Sequence, residues 1–308
     1  MLTFRPILPE DIVWAGPSNS LERNGVRNIQ PDFCFTNIFI WQQTYGSRIA
    51  RFEDFVLVCH EDDEAVFALL PAGRGDLAAA LRAMREYAGS RQLSFYSVPP
   101  AMRDQIEEVF PGCVTFAASR PNYDYILDMQ TFLDLPGSTY QKRRYELRHF
   151  ARQMPSAAFT PMTPADYEDV RSFMAEWCSH YSGEDKSGIQ AESLALEAAL
   201  THYDALGLMG GVLRAEGQLL GFSIGSPLNP SVLCGHIQKA RHDIRGAFFT
   251  VAHEFARMYG SAYRWLNCED DLGQPGLRAA KLSYHPAWLE EKYMACLKSQ
   301  SLCAEQLA

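Results

Sequence analysis

No run of apolar residues approaches the ~20 that a helix needs to cross a bilayer. The opening segment, MLTFRPILPEDI, lacks the apolar stretch and small-residue cleavage site of a secretory leader. Together these absences predict a soluble, cytoplasmic chain. Cys-x-x-Cys pairs are missing as well: Cys34, Cys59, Cys113, Cys178, Cys234, Cys268, Cys296 and Cys303 are scattered without metal-ligand spacing. No metal site is expected, and a chain with a substantial core has little need of a disulfide framework. Buried free thiols in a reducing compartment are the simpler reading. Positive charge is in deficit, with 28 Lys and Arg against 37 Asp and Glu and a net charge of −9. The molecule as a whole therefore repels polyanions, and any nucleic-acid contact has to come from a local basic patch. What is present is ordinary globular material, 47% hydrophobic and 21% charged. Its 308 residues suit two domains of ~100–200 residues better than one.

The chain echoes itself. Phe4, Pro6, Pro9 and Asp11 recur as Phe159, Pro161, Pro164 and Asp166, a constant offset of 155 (159 minus 4). Pro9 and Pro164 suit the first turn of a helix, each with an acid two places on to favour its N-terminus. Thr163 suits the N-cap, and Val170, Phe173, Met174 and Trp177 follow at helical spacing. Three strands come next in each half: 48–53, 55–60 and 65–70, then 208–215, 218–226 and 232–238. Glu216-Gly217 reads as a tight hairpin turn and Leu228-Asn229-Pro230 as a wider one. Arg-Gly turns at Arg74-Gly75 and Arg245-Gly246 lead into helices 77–87 and 247–259. Short strands 94–98 and 263–267 follow, then helical stretches 101–110 and 276–284. The shared order is helix, three antiparallel strands, helix, strand, helix: a mixed sheet with helices on its faces. Leu135-Pro136-Gly137 reads as the boundary, giving domains 1–138 and 139–308.

That order resembles the GNAT (N-acyltransferase) fold, present here twice. The chain further resembles the DUF2156 family, related to the C-terminal domain of phosphatidylglycerol lysyltransferases, in which two such domains are fused. The most specific match is Asn267-Cys268-Glu269-Asp270-Asp271-Leu272-Gly273 with Gly276–Pro286 after it. Gly210-Gly211-Val212-Leu213, the strand 235–240 and the basic helix from Lys142 support it. The resemblance implies α/β tandem GNAT-like domains and a transferase scaffold, one use of which is aminoacyl transfer from a charged tRNA. The lysyltransferases carry a multi-span membrane region that has no counterpart here.

Against this background several residues stand out. Glu269, Asp270 and Asp271 follow a strand directly, at a sheet end where ligands gather in open α/β folds. Glu269 and Asp270 are expected to bind or deprotonate an amine, with Asn267 and Asp271 beside them on the substrate. Arg278 and Lys281, three residues apart on a helix, are expected to hold a carboxylate or an oxyanion. The plainer alternative is a solvated loop with surface ion pairs. Tyr284 lies where many GNAT enzymes place a tyrosine that protonates the departing thiolate, although tyrosines are common in ordinary cores and a core tyrosine is the plainer reading. His236 shares a strand face with Cys234 and Gln238 and would serve as a base near neutral pH, or as a satisfied core histidine. Cys234 shows no activating partner.

The turn Arg241–Ala247 sits where the fold binds the pyrophosphate of coenzyme A. Arg241, Arg245 and Gly246 fit an anion there, whereas Ile244 stands where the acyl-CoA pattern has its first glycine. Segment 142–152 holds five cations and one acid, and Lys142, Arg143 and Arg144 make it the plausible phosphate- or tRNA-contacting patch. The expected chemistry is attack of an amine or hydroxyl on an activated carbonyl. The donor is aminoacyl-tRNA or a coenzyme A thioester, and the acceptor a small amine or amino-acid-like molecule. Residues 1–138 are expected to form a degenerate first copy and 139–308 to carry the site. An acyl-CoA N-acetyltransferase, a non-catalytic amino-acid binder and a peripheral lipid modifier remain as alternatives.

Overall fold

Both predicted strand meanders form, because each alternates apolar residues between turns that the chain can close locally. The computed structural model describes residues 2–16, 22–23, 26–27, 29–179 and 186–298. Strands run over Arg48–Phe52, Phe55–Glu61 and Ala65–Leu69, and again over Met209–Ala215, Gln218–Asn229 and Val232–Ala240. The hairpin at Glu216-Gly217 has φ of 50° and 80°, the double positive φ that a two-residue primed turn requires. Helices Leu77–Ala88 and Ala247–Tyr259 follow the third strands. The first is capped by Asp76, whose carboxylate accepts the Ala79 N–H at 2.9 Å. Thr163 and Asp166 form a reciprocal cap before helix Tyr167–Ser179.

The chain divides into two units. The first comprises Met1–Asp124, Asp270–Ala280 and Leu289–Ala308, the second Tyr125–Glu269 and Lys281–Trp288. The sequence boundary at 138/139 therefore differs from the structural one, for a topological reason. The first sheet has strands in the order 5–6, 48–52, 55–61, 65–69, 92–98, 293–297, 114–118. The second runs 158–161, 209–215, 218–229, 232–240, 265–267, 124–128, 288–290. Each half thus gives its last strand to the other's sheet: Tyr293–Leu297 enters the first and Asp124–Asp128 the second. A parallel pair occupies the same place in each sheet, 65–69 with 92–98 and 232–240 with 265–267.

Each sheet has its own core. Phe55, Leu57, Leu81, Met84, Phe95 and Leu297 belong to the first, and Leu127, Phe132, Leu213, Leu233, Phe255 and Leu266 to the second. One expectation about the cysteines is corrected. Cys113 is disulfide-bonded, while Cys34, Cys59, Cys178, Cys234, Cys268 and Cys296 are free. Scattered spacing hid the bridge, since pairing depends on where the fold brings two thiols and not on their separation in sequence.

Candidate functional site

In the second unit, strand Val232–Ala240 pairs with Gln218–Asn229 along its length, but with Trp265–Asn267 only over Val232–Cys234. That parallel pairing ends at Cys234 and Asn267, and a cluster of polar side chains lies at its end. A bulge aims one of them. Ile224 pairs with Ile237 and Gly225 with Gly235, leaving His236 as the extra residue on its strand. Gly225 is required beside it, because a Cβ there would lie 2.1 Å from the Cys234 carbonyl oxygen.

His236 Nε2 lies 2.7 Å from Ser226 Oγ, and its Nδ1 lies 2.9 Å from Glu269 Oε1. The Cys234 thiol points to the same carboxylate oxygen at 3.7 Å. Asn267 Oδ1 accepts the Glu269 N–H at 2.6 Å, and Tyr125 N–H donates to the Glu269 carbonyl at 3.1 Å. These bonds hold Glu269 at a φ of 57°, unusual for a residue with a Cβ. Exposure gives the cluster a direction. Cys234 and Asn267 are fully buried, the His236 side chain is 0% exposed, and the Glu269 side chain keeps 19%. Glu269 therefore faces outward, with His236 behind it and Ser226 behind His236. An ionised Glu269 accepts Nδ1–H, and the Ser226 hydroxyl then donates to Nε2.

The acidic trio does not act as one grip. Asp271 belongs to the first unit and is fully buried. It accepts two bonds from Arg278 at 2.8 Å, one from Arg120 at 3.0 Å and the Gly273 N–H at 2.9 Å. Arg278, expected to hold a substrate carboxylate, is thus engaged by a protein carboxylate. Its helical spacing with Lys281 showed a shared face but not the loop that tucks Asp271 against it. Asp270 is half-buried and lies within the electrostatic reach of Asp124 and Lys292. Lys281, half-buried, belongs to the second unit.

Tyr284 is a core aromatic. It packs edge-on to Phe132 and against Phe249, with the Arg143 guanidinium over its ring. Burial raises its pKa, Cys268 and Glu146 add to the rise, and Arg143 opposes it, so the phenol is a poor proton donor near neutral pH.

The basic helix Gln141–Gln153 is less free than its charges suggested. Arg143 turns inward to Glu146 and to Ser283, whose carbonyl it reaches at 3.3 Å. Arg144 donates to the Leu135 carbonyl. Lys142, Arg148 and Arg152 face solvent, with Tyr145 exposed among them.

At the strand-to-helix turn, Arg241 forms two bonds of 3.0 Å with Asp243 and pairs with Glu176 at 3.6 Å. Arg245 stacks over Tyr145. Gly246 has a φ of 86° and precedes helix Ala247–Tyr259; a Cβ there would stand 2.9 Å from the Glu146 carbonyl oxygen. Its role is to let two helices approach and to permit a left-handed turn. Salt bridges occupy the charge expected for pyrophosphate.

A second polar cluster, in the first unit, went unnoticed in the sequence. The Lys292 ammonium is buried between Asp32 at 2.6 Å and Asp124 at 2.7 Å, and Ser97 Oγ donates to Asp32 at 2.7 Å. Burial pushes Asp124 up to about 8, the charges of Asp32 and Asp270 helping and Lys292 opposing. Burial also pushes Asp32 up, but Lys292 and Ser97 outweigh it and hold its carboxyl below the usual range. Ser226 was likewise missed. The wider turn expected at Leu228-Asn229-Pro230 is instead a tight one at Pro230-Ser231, closed by the pairing of Asn229 with Val232, and the ladder from it sets Ser226 opposite Cys234.

The sequence family described as phosphatidylglycerol lysyltransferase, C-terminal, matches residues 23–296. The chain belongs to this family. A protein of unknown function from Bacteroides thetaiotaomicron has the same fold, with 32% identity and a TM-score of 0.89 over 97% of this chain and 100% of that one. L-PGS from Bacillus licheniformis superposes with a TM-score of 0.61 and 16% identity over 87% of this chain and 89% of its own. An uncharacterised protein of Mycoplasmoides gallisepticum is 23% identical over 172 residues, 56% of this chain and 55% of that protein's length. The fold is that of tandem GNAT-like domains, two mixed sheets flanked by helices. Among the described residues no helix is long and apolar enough to cross a membrane.

Proposed function

We propose that this protein is an aminoacyltransferase that moves an amino-acid group from a charged tRNA to a small amine or hydroxyl acceptor, with Glu269 as the general base. The observation that carries the reading is the Glu269 carboxylate, fixed by Asn267 and His236 where the parallel pairing ends and left partly exposed to solvent. The acceptor's nitrogen or oxygen attacks the aminoacyl ester carbonyl and its proton passes to Glu269. The bond to the ribose oxygen breaks, and Glu269 returns the proton to that leaving oxygen. His236 and Ser226 hold the base in line.

Membership of the lysyltransferase family supports the reaction class. Engagement of Arg241 by Asp243 and Glu176 favours a tRNA ester over a coenzyme A thioester as donor. Lys142, Arg148 and Arg152 are the cations left for the tRNA backbone. Substrate contacts belong to the second half, 139–308, and the first half is a degenerate copy.

The test is Glu269→Gln, assayed with tRNA charged with radiolabelled lysine or alanine and with phosphatidylglycerol vesicles or free amines as acceptors. Transfer by the wild type should fall by roughly 10²–10⁴-fold in the variant, with thermal stability little changed. Equal transfer by both proteins would dismiss Glu269 as the base.

A further inference from the structure

We propose that Cys234, His236 and Glu269 together form a binding site for one zinc-class divalent cation. Cys234 Sγ, His236 Nδ1 and a Glu269 carboxylate oxygen converge, all within 4.8 Å of one another. Two of the separations are 3.7 Å, sulfur to oxygen, and 2.9 Å, nitrogen to oxygen. Zinc binds thiolate at about 2.3 Å and imidazole or carboxylate at about 2.0–2.2 Å. Tetrahedral donors at those lengths stand roughly 3.3–3.6 Å apart. The sulfur–oxygen pair already fits, the nitrogen–oxygen pair has to open by a few tenths of an ångström, and the sulfur–nitrogen pair, within 4.8 Å, has to close by up to about 1.2 Å. Glu269 lies on the segment after Asn267, and its side chain has room to adjust on its exposed side.

The donor set selects the ion. One sulfur, one imidazole nitrogen and one carboxylate suit zinc and its soft first-row neighbours, not magnesium or calcium. A thiolate and a carboxylate balance the two positive charges, so a metal in this buried pocket leaves no net charge behind. Binding releases the Cys234 thiol proton to solvent. It also shifts the imidazole tautomer: Nδ1 gives its lone pair to the metal, and Nε2–H donates to Ser226 Oγ, 2.7 Å away. A hydroxyl both donates and accepts, so Ser226 supports either tautomer and serves as the outer partner that metal-bound histidines usually have. Three protein ligands leave a fourth position, on the exposed side of Glu269.

Residue spacing does not reveal this set, since 234 and 236 lie two apart on one strand while 269 arrives from a different strand end. A consequence that rests on the transferase reading is that bound zinc occupies the proposed base, so metal should inhibit transfer. Binding itself is independent of that reading.

The experiment uses the full chain, stripped of metal and titrated with cobalt(II) and then zinc. The wild type should take up one equivalent of cobalt with a thiolate-to-cobalt charge-transfer band, and zinc should displace it. Cys234→Ser, nearly the same size as the native residue, should lose the band and at least 100-fold in affinity while unfolding at the wild-type temperature. Glu269→Gln should weaken binding at least tenfold and keep the band. Absence of stoichiometric cobalt in the wild type would overturn the site. Cobalt binding unchanged in Cys234→Ser would do the same, placing the metal elsewhere. If the serine variant fails to fold, Glu269→Gln decides: unchanged affinity there also rejects the site.

Discussion

Replacing Lys292 by Met removes the cation between a fully buried carboxylate, Asp124, and a half-buried one, Asp32. Asp124 is fully buried, Lys292 is 2% exposed, and both Asp32 and Asp124 lie within 2.7 Å of the ammonium. Burial raises the pKa of Asp124 whereas Lys292 and Ser97 hold that of Asp32 down, so Asp32 is the carboxylate that depends on the ammonium. Methionine fills similar volume but leaves Asp32 without its counter-charge. Breaking a buried pair by removing one partner costs about 3–5 kcal/mol, a large share of the ~5–15 kcal/mol that holds a typical domain together. The sign with pH follows from the shifts. Native Asp32, held below its ordinary pKa, contributes stability above the carboxylate range and loses it in acid. Without Lys292, burial raises that pKa, so the variant loses stability as pH climbs out of the carboxylate range. The gap between the proteins should be widest near neutrality and narrow toward pH ~4. Urea unfolding at pH 7.5 and pH 5, followed by a probe in the first unit, reads both quantities. A loss under 1 kcal/mol at pH 7.5, or a gap independent of pH, would refute the assignment. Adding Asp32→Asn to the variant should restore part of the loss, since an amide can stay buried without a counter-charge.

Further outcomes follow from the engaged charges. Gly246→Ala should cost about 1–3 kcal/mol in thermal or urea unfolding, from its positive φ and from the Cβ it would press toward the Glu146 carbonyl. Arg278→Met should destabilise by about 1.5–3 kcal/mol, the worth of charged hydrogen bonds to Asp271. A role on substrate would instead appear as lost ligand affinity with stability intact. Arg143→Ala should lower the unfolding temperature, whereas Lys142→Ala should leave it within ~0.5 kcal/mol of native and weaken tRNA binding with a shallower salt dependence.

Local features were legible in the sequence. Strand and helix ends fell within three residues for the meanders, because period-two alternation and turn residues are decided by near neighbours. The destination of the last strands was not. Asp124–Asp128 and Tyr293–Leu297 carry similar local patterns, and only long-range pairing shows that each enters the other half's sheet. The Leu135–Gly137 turn is real, with φ of 47° and 69° at its ends, yet it lies inside the second unit. His236 and Glu269 could be singled out by residue type and position, and the structure brings them into contact. Their contact depends on the bulge at His236, which follows no composition rule. The cations misled for a related reason: Arg143, Arg241 and Arg278 are conspicuous as charges, and whether a charge faces solvent or a buried carboxylate is settled by tertiary packing.

The duplication allows the site to be compared with its own counterpart. Val232 pairs with Trp265 where the parallel strands of the second sheet begin, and Ala65 pairs with Gln92 in the first. Counting from those pairs, Cys234 corresponds to Phe67, His236 to Leu69 and Glu269 to Tyr96. Ser226, opposite Cys234, corresponds to His60, opposite Phe67. The first sheet has no bulge there: Cys59, His60 and Glu61 pair in order with Ala68, Phe67 and Val66. His60 stacks on Phe67 with ring centroids 5.2 Å apart and touches Tyr96 at 5.7 Å, and burial lowers the pKa of His60 while raising that of Tyr96. Aromatic rings thus fill the place where the second half sets a carboxylate, an imidazole and a thiol. A regular ladder with packed rings sets no carboxylate beside its imidazole. The bulge sets His236 against Glu269 and leaves that carboxylate partly exposed, which is the physical argument for proposing the second half as the seat of the chemistry.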